Sequence, residues 1–128
     1  MNIINAVSGT GITQTADGSG LIKLQSNGVT TNALAWVNFA GASGTRNAYY
    51  NVSSVTLNSA GNYTITFTTA QTDANYVSIA STTGSTTTAG GVSWQFTSPS
   101  TSSVVFNTYL GNTATTFSYP IQIAIFGN

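Results

Sequence analysis

The sequence contains no cysteine, no histidine and no glutamate. Its acidic residues are Asp17 and Asp73, and its basic residues are Lys23 and Arg46. Without cysteine there is no disulfide, no thiolate nucleophile and no cysteine-based metal site, and the redox compartment cannot be read. Without histidine the commonest general base and metal ligand is missing. A two-carboxylate glycosidase would have to use both aspartates. No catalytic residue, cofactor or metal is therefore expected. Two cations cannot neutralise a run of phosphates, so no nucleic-acid partner is expected. No apolar run approaches the ~20 residues of a membrane span, so no membrane insertion is expected. The segment Met1-Asn2-Ile3-Ile4-Asn5 has neither a basic n-region nor an apolar h-region, so no secretory signal is expected.

What is present points to strands. The 128 residues amount to about one domain. Surface scaling lets a chain of this mass bury roughly two-thirds of its unfolded area, enough for one core. Hydrophobic residues make up 41% and the net charge is zero, which excludes a disordered chain. Thr, Ser, Asn and Gly together supply 65 of the 128 residues, and these favour turns and strands over helices. Alternation recurs along the chain. Tyr63, Ile65 and Phe67 alternate with threonines, Val92, Trp94 and Phe96 with polar residues, Val55 and Leu57 with Thr56 and Asn58, and Val77 and Ile79 with Ser78. Turn residues separate the runs at Gly41–Thr45, Ser59–Gly61, Thr82–Gly91, Ser98–Ser100 and Gly111-Asn112. Roughly eight or nine strands result, and the fold class expected is all-β: an antiparallel β-sandwich or jelly-roll-like knob. Phase agreement puts Val37, Tyr63, Ile65, Phe67, Trp94 and Phe96 in its core.

Two stretches are apolar on more than one face. Ala33–Phe39 is apolar on both for most of its length. In Ile121–Phe126, the residues Ile121, Ile123 and Ile125 fill one face, with Ala124 and Phe126 on the other. Strands of this kind are covered on both sides, here by another subunit or by a loop of the same chain. Ile121, Ile123, Ile125 and Phe126 are therefore candidates for a subunit contact. Residues 1–32 read as a short extended N-terminal arm or loosely attached strands, for attachment or subunit contact, and residues 33–128 as the knob domain.

The remaining side chains with chemistry have bland readings. Asp17-Gly18 is a turn, Asp73 a capping or Asx-turn residue, and Arg46 either stacks on Tyr49 or Tyr50 or pairs with Asp73. The sequons Asn51-Val52-Ser53 and Asn62-Tyr63-Thr64 are chance matches in a chain so rich in Asn, Ser and Thr. Tyr49, Tyr50 and Tyr109 are the plausible exposed platforms for stacking a receptor glycan.

One phrase is longer and more ordered than the rest. Ala35-Trp36-Val37-Asn38-Phe39 is followed by a Gly-rich turn, Arg46 and Tyr50–Val55. Then come Gly61–Phe67 and Ala70-Gln71-Thr72-Asp73-Ala74-Asn75-Tyr76. Over about residues 33–79, with an echo in Ile121–Phe126, this order resembles the C-terminal β-domain of tailed-bacteriophage fibre and virion-surface proteins. The resemblance implies a homotrimeric all-β knob exposed on a virion and made in the host cytoplasm. It implies other virion proteins of the capsid or tail as partners, with a host cell-surface glycan as a further one. Arg46, Asp73 and Asn75 fall on recurring positions of the pattern and are structural there. The function expected is non-enzymatic: a short tail fibre, tail tip or head fibre. A capsid decoration protein is the alternative, and a glycan-binding module unrelated to phage a second one.

Overall fold

The computed structural model describes residues 24–26, 29–82 and 91–127. In chain order its strands are β1 (Gln25–Ser26), β2 (Val29–Thr30), β3 (Ala33–Ala40), β4 (Arg46–Tyr50), β5 (Val52–Ser59), β6 (Asn62–Phe67), β7 (Val77–Thr82), β8 (Val92–Thr97), β9 (Ser103–Leu110), β10 (Thr113–Ala114) and β11 (Pro120–Phe126). Among the described residues there is no helix. Eight of these strands are longer than two residues, and they pack as two antiparallel sheets. Sheet I has the order β4-β3-β11-β7. Sheet II has the order β5-β6-β9-β8, with β10 returning beside β9 beyond the end of β6. The sandwich expected from the alternation is the architecture found.

The core lies between the sheets and follows the period of two. Sheet I contributes Ala35, Val37, Phe39, Ile121, Ile123 and Ile125, and sheet II contributes Val52, Tyr63, Ile65, Phe67, Val104 and Phe106. Its centre is a chain of rings. Phe39 meets Tyr63 edge-on at 5.2 Å, Tyr63 meets Phe106 at 6.2 Å, and Phe106 meets Phe96 at 5.0 Å. Each such side chain contributes roughly 1.5–3 kcal/mol by leaving water. The phenol of Tyr63 reaches through the core and donates to the Gly41 carbonyl at 2.6 Å, so its one polar group is satisfied.

Two tight places explain the chain path. The β5–β6 hairpin turns on Ala60-Gly61, where Gly61 has φ 67°, and a Cβ there would sit 2.5 Å from the Thr108 carbonyl oxygen. The chain crosses from sheet I to sheet II through one residue, Asn51, at φ 53°. Asparagine tolerates this left-handed conformation better than most residues. Its side chain then ties the corner. Nδ2 donates to the Leu34 and Thr69 carbonyls, each at 3.1 Å, and Oδ1 accepts from the Thr69 N–H at 2.7 Å. With its amide committed to the backbone, Asn51 has a structural reason for standing in a sequon.

The expected core needs one correction. Val37, Tyr63, Ile65 and Phe67 are buried and Phe96 packs against them, but Trp94 is 41% exposed. Trp94 points to the inner side, as its pairing with the buried Thr108 shows. However, β8 is the edge of sheet II, so its inner face lies at the margin of the core. Of the N-terminal arm, only Leu24–Ser26 and Val29–Asn32 are described. There β1 and β2 form a separate two-stranded hairpin, closed by Thr31 N–H to the Leu24 carbonyl and Leu24 N–H to Asn32 Oδ1. Asp17 and Lys23 lie outside the described residues.

Candidate functional site

The two outer faces of the sandwich are built from the same few residue types and behave differently. On sheet II most outward side chains are hydroxyls and amides, several of which satisfy one another across the strands. Asn58 on β5 donates to Asn62 Oδ1 at 2.7 Å and to Thr64 Oγ1 at 2.9 Å on β6. Asn62 donates to Asn107 Oδ1 on β9 at 2.6 Å, and Asn107 donates to Thr97 Oγ1 on β8 at 3.2 Å. This ladder crosses all four strands.

Sheet I is the opposite. Because β3 turns Ala35, Val37 and Phe39 inward, Trp36 and Asn38 face out. Because β11 turns its isoleucines inward, Gln122 and Ala124 face out. On β7 the large side chains are the outward ones: Val77 is 62% and Ile79 53% exposed, while Ser78, Ala80 and Thr82 point in. Pairing register then sets Tyr50, Trp36, Ala124 and Ile79 side by side in one row across the sheet. The next row is Ala48, Asn38, Gln122 and Ser81. Trp36, 40% exposed, and Ile79 form the walls of a groove of about 420 Å³ with Ala124 on its floor. A small residue between two large ones on neighbouring strands makes the groove. Of the charged residues that are described, neither Arg46, which stacks on Tyr49, nor Asp73, in the turn before β7, lies in these rows.

The sequence-derived candidates distribute as follows. Ile121, Ile123 and Ile125 are 0–3% exposed, in the core of their own sandwich, which leaves almost none of their surface for a subunit contact. The inward pleat of β11 claims them, and Phe126 alone of the four sits on the outer side, opposite Val77. Tyr49, Tyr50 and Tyr109 do not share a surface. Tyr49 and Tyr50 are consecutive in a strand and point to opposite faces of β4. Tyr109 lies on the outer face of sheet II, opposite in phase to the buried Thr108 beside it. Tyr49 is 52% exposed, but one face of its ring is taken: the Arg46 guanidinium lies 4.0 Å over it and donates to the Val52 carbonyl. Arg46 therefore takes the stacking role and not the pairing with Asp73. Asp73 makes the expected Asx turn, its Oδ1 accepting the Asn75 N–H at 2.7 Å.

Burial raises the phenol pKa of Tyr63, which hydrogen bonds with Thr116 and Thr108 partly offset, and it raises those of Tyr76 and Tyr119. These groups stay neutral and structural. Tyr76, for example, donates to the Ser100 and Ser103 carbonyls. The groove itself was missed by sequence reasoning. Its signal was present in the alternation of Val77 and Ile79 with Ser78, but the period does not say which phase faces in. No protein-family model, curated protein or solved structure matches the chain.

Proposed function

We propose that the chain is a non-enzymatic structural protein on the surface of a tailed-bacteriophage virion, a short tail fibre, tail tip or head fibre, acting as a homotrimer. The observation that carries the reading is the exposed, largely apolar outer face of sheet I, whose described residues are uncharged. A face of that kind suits contact with other proteins, and its described residues include no acid, base or nucleophile pair for turnover. The fibre-like phrase over residues 33–79 supplies the phage context. Much of that phrase is accounted for by structural duties: Arg46 clamps the β4–β5 corner, Asn51 ties the sheets and Asp73 closes a turn. Chains made in the host cytoplasm would join the capsid or tail during assembly. The dispersal of Tyr49, Tyr50 and Tyr109 over separate surfaces weighs against the glycan-binding module.

Quantitative mass spectrometry of purified particles tests the reading. A few tens of copies or fewer per particle are expected for a fibre or tip. Hundreds of copies would replace it with the capsid decoration alternative, and no copies would overturn the virion assignment.

A further inference from the structure

We draw no further inference here: the strongest candidate, the groove between Trp36 and Ile79 on the outer face of sheet I with Ala124 on its floor, is an unpartnered apolar face, and nothing in the structure shows what covers it.

Discussion

Asn51 is one residue carrying two separable duties, and substitutions can separate them. The first duty is conformational: φ 53° at the only residue between β4 and β5. The second is the three hydrogen bonds of its side-chain amide to Leu34 and Thr69. A typical intramolecular bond is worth about 0.5–1.5 kcal/mol net, so losing three costs about 3 kcal/mol. Asn51→Gly keeps the backbone comfortable and loses only the bonds, giving about 3 kcal/mol. Asn51→Ala adds the left-handed penalty of about 1–2 kcal/mol, for a total near 4–5 kcal/mol. At about 4 °C per kcal/mol for a domain of this size, the melting temperature falls by about 12 °C and about 18 °C respectively. Asn51→Asp keeps the acceptor for Thr69 N–H but turns a carboxylate oxygen toward two carbonyls. Its folded pKa is therefore raised. The penalty is full at neutral pH and is relieved as pH falls through that raised value, where a protonated carboxyl can donate again. Urea unfolding at pH 7 and pH 4 measures all three. Equal stability of the Ala and Gly variants would refute the conformational duty, and an Asn51→Ala loss below about 1 kcal/mol would refute the staple.

Three further outcomes are expected. Phe67→Ala, which empties a buried position at the Tyr76 edge contact of 5.7 Å, should cost about 3–5 kcal/mol in denaturant melts; an equally stable variant would contradict the packing of β6. Gln71 is buried, and neither side-chain polar atom is hydrogen-bonded among the described residues, so Gln71→Met should be neutral or stabilising by up to about 1–3 kcal/mol, and a loss above about 1 kcal/mol would show that the amide has a partner in solution. Burial raises the phenol pKa values of Tyr63, Tyr76 and Tyr119, so their contribution is complete below the ordinary value of about 10 and is lost as pH rises past it. Thermal melts from pH 6 to 11 should be flat to about pH 9, since there is no histidine to titrate, and then fall. Tyr63→Phe should lessen that fall, and a drop between pH 6 and 8 would sink the assignment.

The parts of the fold legible in the sequence are those where period and size agree. In β6 the large residues Tyr63, Ile65 and Phe67 alternate with threonines and the inward phase is also the apolar one. On β9 the phase was not legible, because Val105 in the outward phase is as apolar as Val104 in the inward one. The Ser59–Gly61 turn was legible because a glycine at positive φ has few substitutes. Phase failed where position in the sheet overrides it. Val92, Trp94 and Phe96 point inward as expected, but on an edge strand only Phe96 reaches the core cluster. On β7 the apolar phase points outward, and nothing local in Val77-Ser78-Ile79-Ala80 distinguishes that from the reverse. Asn51 was set aside as half of a chance sequon because its role depends on Leu34 and Thr69, both 17 or more residues away in sequence.

The contrast between the two outer faces bears on where a partner would gain most by docking. With four charged residues, the chain carries its surface polarity mainly on neutral hydrogen-bonding side chains. On sheet II they are spent on each other, through the ladder from Asn58 to Thr97. A partner docking there would have to break those bonds and return equivalent ones, which nets little. On sheet I the row from Tyr50 to Ile79 offers carbon. Covering it releases water at a gain of about 25 cal/mol per Å² and breaks nothing in the ladder. The Trp36–Ala124–Ile79 row is thus where a second protein surface gains most and loses least, and substitutions there should change assembly before they change folding.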